Sequence, residues 1–499
     1  MRSKKAIINM LSSMVYQFVA IVCGLILPRL ILSHFGSGYN GLTSSISQFI
    51  SCVALMKAGL FGVTRSALYK PLAEKDEVRV SAIVNTTEMF MRKIAVIFAV
   101  CLILFSMVYP FAVKEEYDYW FTVSLFLIIG ISTFFQYYFG MTYSILLEAD
   151  QRQYVVSGLQ TVTIILNTSV AAVLINMGFG IRAVKAVSAI AFSIFPILQM
   201  LYARRHFQID KSIPKDNRLI EQRWAAFAQE VAFFVHNNTD VIILTFFADM
   251  KTISVYTVYN YVISNLLRIL ETSIIGFGAA FGNMLAKGEQ KLVENNLKIS
   301  ELIVFSFSSV LYSTAAALIV PFALLYTKGV NDANYSQPVF GILITLAGMF
   351  SCFRIPYKTI VDSAGHFRQM RNGALLEASL NLIISAVLVI RFGLIGVAIG
   401  TLVATVFRSV QYARYLSKIL VPRSMLCFSG HVFVNLLVFV ATYLSIQLMD
   451  FTMNTWTDWI WCATVAVFIS TALTVFFDLL LYKAEFKEML HKVRNTIRR

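Results

Sequence analysis

Ionisable side chains interrupt the long apolar segments of this chain at spacings that could hold an anion. Arg354, Lys358 and Asp362 stand at i, i+4 and i+8, so a helix lines all three along one stripe. Lys57 and Arg65 stand eight residues apart, about two helical turns, and Arg268 and Glu271 stand one turn apart in another apolar segment. In mid-bilayer such a group costs roughly 2.5 to 3.5 kcal/mol on insertion scales, which makes each a functional candidate by default. Cations converging on a low-dielectric lumen would bind phosphate or pyrophosphate by charge-assisted hydrogen bonds. The competing reading is structural: Asp362 pairs with Lys358, and long basic side chains snorkel to the interface.

Arg29 is a weaker substrate-binding candidate, because it lies near the outer end of its segment where snorkelling also accounts for it, as it does for Arg92 and Lys93. The run His236-Asn237-Asn238-Thr239-Asp240 is unusually polar between apolar flanks and needs partners. Asn237 and Asn238 would serve sugar hydroxyls or a coupling cation, or else simply bond to a neighbouring helix. Glu271 and Asp240 are the acids best placed to bind Na⁺ or H⁺, although Glu271 would equally neutralise Arg268. Glu230, Glu301, Glu377 and Asp478 lie nearer segment ends, where pairing with loop bases is expected. The sequence has no glycine-rich phosphate loop, no metal-ligand spacing and no nucleophile elbow, so neither a metal nor a catalytic residue is expected. A transporter is expected rather than an enzyme, with no cofactor beyond a coupling Na⁺ or H⁺.

The elements that must position these groups are transmembrane helices. Of the 499 residues 58% are hydrophobic and 14% charged, and apolar runs of twenty or more recur from end to end, which implies an all-α polytopic membrane protein embedded in the lipid bilayer. Fourteen spans are expected, among them 7–32, 41–68, 84–109, 120–147, 224–247, 253–285 and 338–362. The six cysteines lie in apolar segments without paired spacing, which argues against disulfides and zinc. A net charge of +15 does not indicate nucleic acid, because the bases sit in loops between spans. Alternate loops carry Arg204, Arg205, Lys211, Lys215 and Arg218, then Lys287 and Lys291, then Arg368 and Arg371, whereas the opposite loops are poor in Lys and Arg. The positive-inside rule therefore places both termini in the cytoplasm.

The chain is also written twice. At an offset of about 213 Leu72-Ala73 falls on Leu285-Ala286, and at about 215 Gly158, Gly178 and Ala183 fall on Gly373, Gly393 and Ala398. Each unit holds about six spans, an even number, so both enter the membrane from the same side and form a parallel repeat, an arrangement that usually places a transport site between the copies. The expected blocks are a six-helix bundle over 1–203, a cytoplasmic linker over 204–222, a second six-helix bundle over 223–417, two further spans over 418–482 and a basic cytoplasmic tail over 483–499. Subtracting 213 from 268 gives 55, so Lys57 and Arg268 sit at matched depth in corresponding helices.

Phe35-Gly36-Ser37-Gly38-Tyr39-Asn40-Gly41-Leu42, Lys57-Ala58-Gly59-Leu60-Phe61-Gly62, Leu68-Tyr69-Lys70-Pro71-Leu72-Ala73, Asn238-Thr239-Asp240 with Ser254-Val255-Tyr256, and Gly393-Leu394-Ile395-Gly396 together resemble bacterial polysaccharide exporters of the Wzx flippase type. These belong to the MOP superfamily, with the MATE multidrug exporters and the lipid II flippases, and the resemblance covers nearly the whole chain. It implies two six-helix bundles around a cationic cavity with alternating access. It also implies a cargo: an O-antigen, capsule or other exopolysaccharide repeat unit on undecaprenyl pyrophosphate, moved from the cytoplasmic to the periplasmic leaflet of the inner membrane. Lys57, Arg65, Arg268, Arg354 and Lys358 would then hold the pyrophosphate, and polysaccharide polymerase and chain-length machinery would be partners. Two other classes stay open: a MATE-like drug and cation antiporter, disfavoured because a basic lumen repels organic cations, and a membrane-embedded glycan-processing enzyme or assembly scaffold, disfavoured by the short outer loops.

Overall fold

The computed structural model describes residues 2–53, 60–113, 117–214 and 239–488. Among these the secondary structure is helical throughout, and eleven helices are long and apolar enough to cross a membrane. One of them, Ile8–Cys52, has 45 residues, about 68 Å at 1.5 Å per residue and twice what a bilayer core needs. It holds two crossings, because Gly36 breaks the helix with φ 85° and ψ 175°. The helix Met250–Ala286 stands where the eighth span is expected, and the seventh is described only from residue 239 onward.

The chain divides into two compact units, Met1–Ser254 and Val255–Arg499. In the first, the glycine-rich motif has a specific use. A Cβ added at Gly41 would collide with the main-chain carbonyl of Met250, so only glycine lets the two backbones meet there. Around that contact Asn40 donates to Ser254 at 2.8 Å, Ser45 meets Thr245 at 2.6 Å, and Tyr109 donates to Ser45 at 2.8 Å. These bonds satisfy polar groups that lipid could not.

Element boundaries repeat as the sequence offset requires. Glu77–Ala112 answers to Gln290–Tyr326, Gln153–Asn176 to Phe367–Phe392, and Ile181–His206 to Leu394–Tyr415. Gly178 and Gly393, paired in the sequence, both take positive φ, 81° and 53°, at the turn joining the fifth and sixth helices of their copies. A side chain there would be strained, which explains why glycine recurs. Both copies also interrupt the fourth helix; the sequence marks a kink at Pro356 in the second copy and none in the first. In the first copy Tyr119–Phe135 passes through a π turn, Gln136–Gly140, into Met141–Ala149; in the second, Pro338–Phe353 stops at Arg354 before Ile355–Ser363. Pro356 begins that last helix, where its missing N–H leaves no carbonyl stranded.

In the second unit Gln290–Tyr326 lies at the centre. The two final helices, Leu426–Leu448 and Trp456–Leu481, pack on it through a cluster of Ala317, Leu318, Ile446, Cys462 and Ala466. Their other faces present Phe433, Leu448, Trp461 and Phe468 outward, as lipid-facing helices do. The tail is helical over 483–488, and the rest of it lies outside the described residues.

Candidate functional site

Two arginines of the second unit converge on Glu377, which is buried on the helix Phe367–Phe392. Arg354 Nη1 lies 2.7 Å from Glu377 Oε1, and Arg408 Nε lies 3.3 Å from Oε2. Arg408 also donates to Gln411 at 2.6 Å, to the Met370 carbonyl at 3.2 Å and to Tyr412 at 3.2 Å, and its guanidinium lies 4.4 Å from the centre of the Tyr412 ring. All three charged side chains are at most 12% exposed. Two guanidiniums share one carboxylate where the fourth helix breaks, and Asp362 also acts on Arg408. A phosphate can compete for Arg354 only by replacing Glu377. Lys358, one turn beyond Arg354, and Asp362 are half-buried on the same short helix.

A second arrangement occurs twice. Glu88 and Glu301, 213 residues apart, are buried near the start of the third and ninth helices. Tyr143 and Tyr357, 214 apart, donate to them, Tyr143 at 3.4 Å. An arginine closes each group: Arg204 Nε donates to the Tyr143 hydroxyl at 3.0 Å and Nη2 stands 3.7 Å from Glu88, while Arg423 grips Glu301 with two nitrogens. Each guanidinium lies 5.7 Å from its tyrosine ring centre. The first copy takes on two more cations, Arg92 at 2.6 Å and Lys211 from the linker. That linker is itself tied down, because Asn85 donates to the Asp210 carbonyl at 2.8 Å. Ser212 N–H donates to the Asp210 carboxylate at 2.8 Å, which holds that carboxyl below its ordinary pKa.

The remaining expected residues are dispersed. Arg65 lies 3.6 Å from Glu148 and 5.5 Å from the centre of the Phe61 ring. Arg29 is half-buried, seven residues before the break at Gly36. Arg268 and Glu271 are exposed, one turn apart, on Met250–Ala286, and Asp240 is buried in the helical stretch 239–247. Lys57, Asn237 and Asn238 lie outside the described residues, as does Glu230. Glu301 meets a loop base, Arg423, as expected, and Asp478 accepts from Ser306 at 2.6 Å. Glu377 instead meets two bases that belong to spans. Arg408, Glu88, Tyr143 and Tyr357 were not singled out from sequence, although the repeat offset marks Glu88 with Glu301 and Tyr143 with Tyr357.

This is the fold of MOP-superfamily transporters, and the solved structures that share it are of transporters and flippases rather than enzymes. A lipid II flippase, MurJ, in an inward closed conformation aligns over 95% of this chain and 99% of its own with a TM-score of 0.71 at 15% identity. An inward-facing multidrug resistance MATE family transporter of the MOP superfamily aligns over 83% of this chain and 98% of its own, TM-score 0.60 at 14% identity. A eukaryotic MATE transporter aligns over 83% and 95%, TM-score 0.57 at 14% identity. No protein-family model matches the sequence, and no curated protein sequence matches it. The chain is a multi-pass membrane protein with a transporter fold.

Proposed function

We propose that the protein is a flippase that carries an undecaprenyl-pyrophosphate-linked oligosaccharide from the cytoplasmic to the periplasmic leaflet of a bacterial inner membrane, by alternating access through a cationic cavity. The observation that carries this reading is the extent of the structural likeness. The lipid II flippase aligns over 95% of the chain and the MATE transporters over 83%; the difference, 12% of 499 residues, is about 60, the size of the two final helices and their connection. A likeness that takes in those helices favours a lipid-linked cargo over a free organic cation. The cations add support, since the sequence offset sets Arg268 against the neighbourhood of Lys57 and a pyrophosphate needs positive partners in a low-dielectric lumen. Glu271, beside Arg268, and Asp240 are the acids assigned to a coupling Na⁺ or H⁺ in this reading.

Complementation tests it. Lys57→Ala with Arg268→Ala should abolish export of a lipid-linked glycan at matched membrane abundance, because a charge that holds the cargo cannot be spared. Full export by the double variant would refute the assignment of these two residues.

A further inference from the structure

We propose that the linker end of the first unit holds a phosphate-binding site at the membrane boundary, built by Arg92 and Lys211 beside the Glu88, Tyr143 and Arg204 group. A cavity of about 280 Å³ opens there, lined by Asn85, Glu88, Met89, Arg92 and Lys211. Among the described residues three cations surround the single carboxylate of Glu88: Arg92 at 2.6 Å, Arg204 at 3.7 Å and Lys211. Their side chains are 44%, 43% and 49% exposed, whereas Glu88 is 8% exposed; Arg92 and Lys211 line the cavity with Glu88, so two positive charges and one negative border it.

The second copy shows what this group looks like when it is purely structural. There, among the described residues, Glu301 pairs with one cation, Arg423, and the charges cancel. At the position of Arg92 stands Phe305 (92 + 213), and at that of Tyr138 stands Phe353 (138 + 215). Arg92 lies over the Tyr138 ring at 5.0 Å; Phe305 stacks on Phe353 at 4.5 Å and both are buried. One framework thus carries a sealed aromatic pair in one copy and a half-exposed arginine beside a cavity in the other. Stability alone needs only the sealed version, because a surplus of like charges on one acid repels itself. The first version suits an anion with several acceptor oxygens, which a guanidinium and an ammonium meet together. Asn85 Oδ1 adds a buried acceptor without a hydrogen-bond partner among the described residues, suited to a hydroxyl next to the phosphate. Glu88 stands near the start of its span and Lys211 in the polar linker, the depth of a lipid phosphate.

The source of the phosphate, an anionic lipid headgroup or free phosphate, is separated by using the full chain in nanodiscs of three kinds: phosphatidylcholine alone, phosphatidylcholine with phosphatidylglycerol, and phosphatidylcholine with inorganic phosphate in solution. Retained lipid is read by native mass spectrometry and the thermal unfolding midpoint is followed in parallel. Arg92→Gln with Lys211→Gln should lower phosphatidylglycerol retention about twenty-five-fold, roughly fivefold for each charge removed. Lys287→Gln, an exposed base in another loop, should change it less than twofold. Each single substitution is read alone if the double variant is not monodisperse in neutral lipid. Stabilisation by inorganic phosphate in neutral lipid, lost in the double variant, supports the site with free phosphate as its source. Equal retention by the double variant without a phosphate effect, or an equal loss in Lys287→Gln, overturns the proposal.

Discussion

Two buried carboxylates in this protein, Glu88 and Glu377, are each held by more than one basic group, and that excess sets what each substitution should do. Glu377 stands between Arg354 and Arg408. Glu377→Gln would leave two buried guanidiniums without the carboxylate they share, with Asp362 as the acid that still acts on Arg408, a loss on the order of 3 kcal/mol. Arg354→Gln leaves Glu377 paired with Arg408 and should cost clearly less. Thermal unfolding of the purified variants in one detergent checks the order, and equal destabilisation would contradict the cluster. The stripe of Arg354, Lys358 and Asp362 is legible in the sequence because it lies within nine consecutive residues, with Arg354 capping the helix that holds the other two. The acid that meets Arg354 is 23 residues away on another helix, and no local spacing reports such a pair.

Helices here are positioned by a few close approaches, and the repeat makes some of them legible in the sequence itself. Gly178 and Gly393 recur because the turn they occupy needs positive φ in both copies. The break beside Pro356 was legible from that proline, whereas the π turn at Gln136–Gly140 was not, since the hydropathy of 120–147 continues across it and the turn carries no proline; there Gly140 abuts Pro196 of another helix. Gly41 and Gly158 separate tight contact from mere helix composition. At Gly41 an added Cβ meets the Met250 backbone, whereas at Gly158 it meets nothing within 4 Å. Gly41→Ala should therefore destabilise the protein by several kcal/mol or prevent its accumulation. Gly158→Ala, inside Gln153–Asn176, should be neutral or stabilise by about 0.5 to 1 kcal/mol. Expression and unfolding midpoints of the two variants decide this, and a tolerated Gly41→Ala would mean that the two backbones are not in contact.

At the scale of the whole molecule, the helical character and the repeat of element boundaries between the two copies were readable from hydropathy and the sequence offset. Sequence could not reveal that the last two helices dock on the ninth through small and apolar residues, because such seams carry no signal beyond hydrophobicity. The decisive measurement is translocation in proteoliposomes that contain the purified full chain and an undecaprenyl-pyrophosphate-linked oligosaccharide, followed by an impermeant glycosidase that reaches only the outer leaflet. A flippase predicts that the accessible fraction rises well above that of protein-free vesicles and that Arg268→Ala slows the rise several-fold. Accessibility equal to that of protein-free vesicles, together with exchange of an organic cation by the same preparation, would contradict it.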